Sequence, residues 1–500
     1  MSSPYDNPFS PEDLDKADAL LAQIKQKQRR KKLLLLFLVP LIILAIIAAI
    51  LAPHLSERWK IYTLKRSLNV DHVNMSTIER VHVQLLPGWL IHISNQHSKE
   101  PQKFDDLVAT LQQEDPDAVA LVTELRDMLL QPDRLVEFAD ALLAIVDLWN
   151  QRLEQAKLPW WVEANVMSSR GKALFYVKTY KILADFHVQV GTKPHRTRIS
   201  ARADNTNIVE SMLGHTSPSD KGAFILADRL YDFSLSQVWP LLQQEPSTLK
   251  DRQRAFSQPI KEEVKNLLNP EYYKRLTTYA EQRHNLEQAI ASIRERRQTC
   301  GSNFSISHLP WDGFPEHEFD RLRRFVERDR YADCPSITED ELNTIERATD
   351  ALADDPKLQQ SAGALVSAMA RAITVHEARH AADHTTQNGL LEPLPCPQCD
   401  DAGLSTIARA ELSAYLASFA HKESSMLALY QACSVRDAHG TPHANALRFA
   451  LPKLQTDCDT TPPSDLSARA QRLEQDLFGR SDTIIIPKSN YPEHLELYKK

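Results

Sequence analysis

Glycine is scarce in this chain: 12 in 500 residues, roughly a third of ordinary usage. Left-handed backbone is cheap only for glycine, so a turn-dense β-sandwich or propeller is disfavoured. Collagen-like and Gly-rich disordered chains are excluded outright. Neither GxxxxGK[ST] nor GxGxxG occurs, so the usual phosphate-cradling loops are missing and no nucleotide is expected. Basic residues are not in excess: 59 Lys+Arg face 66 Asp+Glu, a net charge of -7, which argues against a nucleic-acid partner. A GxSxG elbow is absent as well, and the single CxxC has no second copy with which to build a four-cysteine zinc site.

What is present begins with an apolar run. Leu33 to Ala52 reads LLLLFLVPLIILAIIAAILA without a polar residue. Twenty residues at about 1.5 Å each span about 30 Å of hydrocarbon. Lys25, Lys27, Arg29, Arg30, Lys31 and Lys32 precede it, which by the positive-inside rule puts the N-terminus in the cytoplasm. The expectation is a single-pass inner-membrane protein whose bulk is periplasmic. The expected parts are a cytoplasmic tail (1–32), a transmembrane helix (33–52), an exterior α/β module (53–245), a helical module (246–480) and a C-terminal tail (481–500). The fold class is mainly α (α+β).

Apolar spacing of three and four predicts helices over Phe104–Gln113, Asp117–Leu130, Arg134–Leu153, Glu262–Arg297 with a break at Pro270, Glu316–Arg330 and Glu339–Ala353. Alternation predicts a strand pair in Val81–Ile93, an antiparallel hairpin turning near Ser168–Gly171, further strands up to Ala203, and a short strand at Thr483–Pro487. Residues 204–214, DNTNIVESMLG, read as a capped helix ending at Gly214.

The chemistry is concentrated in His376-Glu377-Ala378-Arg379-His380, an HExxH motif. Asp355 is a helix cap, Pro356 a first helical residue and Asn388-Gly389 a stop. His376 and His380 continue the stripe of Leu358, Leu365, Met369 and Ile373. One turn apart, two imidazoles can address a single Zn²⁺, while Glu377, about 100° around the helix, can reach a water beside it as general base. A third ligand is needed. His384 lies eight residues, about 12 Å, beyond His376 and cannot join both histidines on a straight helix; Asp383 has a similar difficulty, and both are placed behind the ligands. Glu411 is the better choice. It sits within the apolar face of the helix predicted over Ser405–Phe419, where a buried carboxylate needs a partner charge. For the developing oxyanion, donors are sought among Tyr415, His421, Tyr430, His439 and His443, with His443 or Tyr430 preferred.

HExxH on one helix and a Glu on a following helix resembles the gluzincin zinc metallopeptidases, the thermolysin-like class. The resemblance covers about residues 356–420. It implies His376, His380 and Glu411 as zinc ligands, Glu377 as general base, and a protein or peptide substrate, which the expected anchor would confine to the cell envelope. Two features depart from that class: Arg379 is charged inside the motif, and AELSAYLAS lacks the usual Asp partner for a zinc-bound His, leaving Asp383 or Ser413 as substitutes. The alternative is a non-catalytic envelope scaffold with a degenerate or structural metal site.

Six cysteines, Cys300, Cys334, Cys396, Cys399, Cys433 and Cys458, are read as up to three disulfides in an oxidising compartment. For Cys396 and Cys399 the reading favours a disulfide, either with each other or to Cys433 or Cys458, over metal binding or redox catalysis.

Overall fold

The computed structural model describes residues 27, 75–86, 88–89, 101–131, 134–169, 172–203, 212–217, 222–243, 249–300, 306, 314–386, 393–399, 403–489 and 491–496. The chain divides into two compact units. One comprises Met1–Val81, Gly88–Leu158 and Ala164–Val177; the other comprises His82–Pro87, Pro159–Glu163 and Lys178–Lys500.

The first unit is helical: α1 (Met75–Arg80), α2 (Pro101–Glu114), α3 (Pro116–Leu129) and α4 (Ala139–Gln155). α4 buries Leu142, Ile145, Val146, Trp149 and Leu153, the three-four spacing of one amphipathic face. Arg152 is buried with Asp115 and forms an ion pair with it. The strand pair expected from Val81 onward is not found: Val81–Leu85 is a π-helical turn. The buried residues Ile78, Val81, His82, Leu86 and Trp89 follow helical spacing, which outweighs the local alternation.

A six-stranded sheet lies largely in the second unit. Its strands are β1 (Trp160–Ser169), β2 (Lys172–Val190), β3 (Lys193–Arg202), β4 (Gly214–Ser217), β5 (Gly222–Leu226) and, near the C-terminus, β8 (Ile484–Ile485). Residues 164–169 of β1 and 172–177 of β2 fall in the first unit. The order is β1-β2-β3-β5-β4, with β8 paired to β2. β2 and β3 are antiparallel, β3 and β5 parallel, and β4 and β5 form an antiparallel hairpin that aligns His215 with Phe224 and Thr216 with Ala223. Gly222 opens β5 at φ +85, the left-handed region, where a Cβ would also overlap the Arg196 carbonyl. Gly214 opens β4 rather than closing a helix; the rest of the helix expected there, 204–211, lies outside the described residues.

The helices are α5 (Ala227–Phe233), α6 (Asp251–Leu267), α7 (Pro270–Cys300), α8 (Glu316–Arg328), α9 (Glu339–Asp354), α10 (Pro356–Thr386), α11 (Thr406–Ala420), α12 (Ser425–Val435), α13 (Pro442–Leu454) and α14 (Leu466–Phe478). A two-stranded ribbon, β6 (Leu394–Pro395) with β7 (Gly403–Leu404), lies between α10 and α11. α10 contacts β3, β4 and β5 of the sheet as well as α7 and α11. Its many buried alanines, among them Ala362, Ala372, Ala378 and Ala382, allow such close approach from several directions. The C-terminal tail is part of this packing: the Leu495 N–H donates to the Gly363 carbonyl at 3.1 Å, and a Cβ at Gly363 would overlap the Leu495 carbonyl.

Two corrections to the expected fold follow. First, no helix among the described residues is long and apolar enough to cross a membrane, and the apolar run 33–52 lies outside them. The long helices carry charge along their length; even the 31-residue α10 contains Lys357, Arg371, Glu377, Arg379 and Asp383. The expected N-terminal transmembrane helix thus has no support among the described residues. Second, the sheet packs into the helical core: strands β2, β3 and β5 share one hydrophobic core with α10 and α11 through residues such as Val188, Ile199, Ile225, Ile373 and Leu412. The cysteines form three disulfides, Cys300–Cys334, Cys396–Cys399 and Cys433–Cys458.

Candidate metal centre

α10 starts where the sequence indicates. The Asp355 carboxylate accepts the N–H groups of Lys357 and Leu358 at 2.9 and 3.1 Å, and Pro356 has no N–H to satisfy. α11 is capped by Ser405, which accepts the Ala408 N–H at 3.1 Å. These two helices pack together and bring His376, His380 and Glu411 into one group that could hold a metal ion. The Nε2 atoms of His376 and His380 are 3.2 Å apart, and each lies 3.4 Å from Glu411 Oε2. The three side chains are nearly covered, at 12%, 13% and 12% exposure.

Glu411 Oε2 is buried, and no well-directed hydrogen bond reaches it. Three imidazole nitrogens stand close by, including His443 Nδ1 at 2.9 Å. An orphaned, buried carboxylate oxygen facing two converging imidazoles is the environment a cation would satisfy. Burial alone would raise the Glu411 carboxyl pKa; His376, His380 and His443 outweigh it and hold the group far below the usual carboxylate range. For His380 burial acts downward, and Glu411, with Glu377 and Asp383 behind it, overcomes this and holds the ring up at about 9. The site is thus a strong trap for positive charge.

Around this group lie the other parts. Tyr415, one turn beyond Glu411, packs against the His376 ring with centroids 4.8 Å apart, and its hydroxyl is 3.2 Å from His443 Nδ1. Burial first, and then the charges of Glu411 and Glu377, push the Tyr415 phenol well above its ordinary pKa, so it remains a neutral O–H. Glu377 is buried beside β4, where the Thr216 hydroxyl lies 2.8 Å from its Oε2. A cleft of about 500 Å³ opens over the group, bordered by Gly214 and Thr216 of β4, Ile407 and Ala410 of α11, Val435 and His384.

No family model, curated protein or solved structure matches the chain. The site is therefore read from its own geometry.

His376, Glu377, His380, Glu411, Tyr415 and His443 are brought together as the sequence suggested. His384 reaches the same cleft but is exposed. Asp383 is buried and ion-paired with Arg480, which also donates to Ser413 at 3.3 Å. Both substitutes considered for the missing Asp partner are thus held by a residue that spacing did not single out. Three of the oxyanion candidates are engaged elsewhere: Tyr430 donates to the Gln237 carbonyl at 3.2 Å, His421 pairs with Ser424 at 3.0 Å, and His439 with Arg448 at 2.6 Å. Arg379, unusual inside the motif, is fully buried and donates to Glu474 at 2.6 Å and Asp482 at 2.7 Å. Its charge is answered from α14 and the segment after it. Thr216 and Gly214 gave no local signal, because they meet Glu377 only through a contact 161 residues away in the chain.

Proposed function

We propose that this protein is a zinc-dependent peptidase of the gluzincin kind, acting on a protein or peptide outside the cytoplasm. The observation that carries the reading is the triangle of His376 Nε2, His380 Nε2 and Glu411 Oε2, with edges of 3.2, 3.4 and 3.4 Å. A tetrahedral ion with bonds of about 2.0–2.1 Å separates its ligand atoms by about 3.3–3.4 Å. Two imidazoles and one carboxylate also form the donor set of catalytic zinc peptidases, which leave one position open.

Zinc held there would polarise a peptide carbonyl and acidify water. Glu377, next in sequence to a ligand and facing the cleft, takes the proton from the attacking water and delivers it to the departing amine. Tyr415, kept neutral, and His443 are the donors available to the carbonyl oxygen as it gains negative charge. β4 has a hydrogen-bonded neighbour only on its β5 side among the described residues, and it borders the cleft. Its free edge suits an extended peptide backbone, which pairs with a sheet edge through main-chain hydrogen bonds. The three disulfides support an oxidising compartment.

The test is metal content by mass spectrometry on the purified protein, with hydrolysis of a fluorogenic peptide library as a second readout. One zinc per chain is expected in the wild type, with loss in His380→Ala and Glu411→Ala. Glu377→Gln should keep its zinc and lose at least about a hundredfold in rate, the share of a general base. A folded wild type without metal would sink the reading, and a zinc-loaded wild type that cleaves nothing would favour a non-catalytic scaffold.

A further inference from the structure

We infer that Thr216 is a positioning residue for the base, holding one oxygen of the Glu377 carboxylate so that the other is presented to the water. The inference rests on the reading of Glu377 as general base. The Thr216 hydroxyl lies 2.8 Å from Glu377 Oε2 and 3.0 Å from the Glu377 main-chain carbonyl. One hydroxyl therefore bridges the two ends of the same residue. A glutamate side chain has three rotatable bonds, and tying Oε2 back beside its own backbone removes most of that freedom. Oε1 is then the oxygen left to receive a proton.

The hydroxyl carries a single proton and has two acceptors within reach, Oε2 at 2.8 Å and the main-chain carbonyl at 3.0 Å.

The placement is built into β4. Gly214 and Thr216 lie two residues apart and face α10 together. A Cβ on Gly214 would stand 2.9 Å from both Glu377 Cγ and Ile373 Cγ2, and 3.0 Å from the Phe224 carbonyl. The missing side chain thus allows β4 to approach α10 closely enough for Thr216 to reach the carboxylate. His215 faces the other way. Its ring stacks on Phe224 at 5.3 Å, and its Nε2 lies 3.2 Å from Glu163, so the strand is anchored from its opposite face.

The experiment uses the full-length, zinc-loaded protein with Thr216→Val, which keeps the shape without the hydroxyl, Thr216→Ser, which keeps the hydroxyl, and Glu377→Gln. Zinc content and Tm come first. The second readout is affinity for acetohydroxamic acid by calorimetry; on chelation this acid gives up its O–H proton, which Glu377 would receive. The third is kcat and KM on the best peptide from the fluorogenic library. Thr216→Val should keep its zinc, bind acetohydroxamate about tenfold more weakly and lose about tenfold in kcat with KM within about twofold, the scale of one lost hydrogen bond to a charged group. Thr216→Ser should restore both to within about threefold. Wild-type values in Thr216→Val, alongside a disabled Glu377→Gln, would overturn the role of Thr216 and leave the base in place. A Thr216→Ser protein as weak as the Val variant, or loss of zinc from Thr216→Val, would overturn it too, by assigning the effect to packing or to the metal group. If Glu377→Gln matches the wild type in both readouts, the base reading fails and this inference fails with it.

Discussion

At Glu163 burial and pairing oppose each other, and pairing prevails. Burial would raise its pKa, but His215 at 3.2 Å, Lys178 at 3.9 Å and the Tyr180 hydroxyl at 3.0 Å bring it down to about 2. A carboxylate whose folded pKa lies below its unfolded value contributes stability at pH above the unfolded value, near 4.5, and loses that contribution as pH falls through about 2. The shift corresponds to about 3 kcal/mol. Glu163→Gln should therefore lower stability by about 2–3 kcal/mol at pH 7, with the gap to wild type closing as pH drops toward 2; urea unfolding at a series of pH values reads this directly. None of this was legible in the sequence, where Glu163 is one charge in an alternating strand. The HExxH histidines were legible at this scale because helical spacing alone puts them on one stripe. Arg379 was visible only as an anomaly, since Glu474 and Asp482 lie 95 and 103 residues away.

At the scale of elements, strong local signals survived folding. α7, α8, α9, α10 and α11 begin within one residue or so of where caps, prolines and apolar spacing placed them, except that the stretch before Pro270 proved to be a helix of its own, α6. Short elements did not survive equally. Val81–Leu85 became a π-helical turn, and Gly214 became the start of a strand, because a few residues carry too little intrinsic preference to resist their packing. The disulfides are elements of a similar kind: the even count was readable, the pairing was not. Their weights should differ. In the chain-entropy model a cross-link spanning 25 residues, as in Cys433–Cys458, contributes about 3.5 kcal/mol. One spanning 3, as in Cys396–Cys399, contributes about 1.5–2 kcal/mol. The Cys433→Ala/Cys458→Ala double variant should accordingly shift the urea midpoint about twice as far as Cys396→Ala/Cys399→Ala. Equal shifts would mean that the Cys396–Cys399 link also holds structure beyond its own small loop.

For the whole molecule, the candidate metal centre lies where α10 and α11, both part of the main core, meet. A cation bound there binds the folded chain and not the unfolded one, so it should raise stability by mass action, about 2.7 kcal/mol at a free concentration a hundred times the Kd. Thermal unfolding with added zinc and then with chelator should show Tm rising and falling in the wild type and staying constant in His380→Ala. A wild-type Tm indifferent to both would remove the metal from the folded state. The sequence by itself determined most of the long helices, the two histidines one turn apart, the glutamate between them and Glu411 as the carboxylate candidate to join them. All of these follow from periodicity and from side-chain chemistry within one or two turns. Only the tertiary structure decided that α11 brings Glu411 to within 3.4 Å of both imidazoles, that Tyr415 and His443 join them while Tyr430 does not, and that an edge strand from another part of the chain lies against Glu377. Those contacts depend on which faces share one core, and residues 28 to 161 positions apart carry no local record of one another.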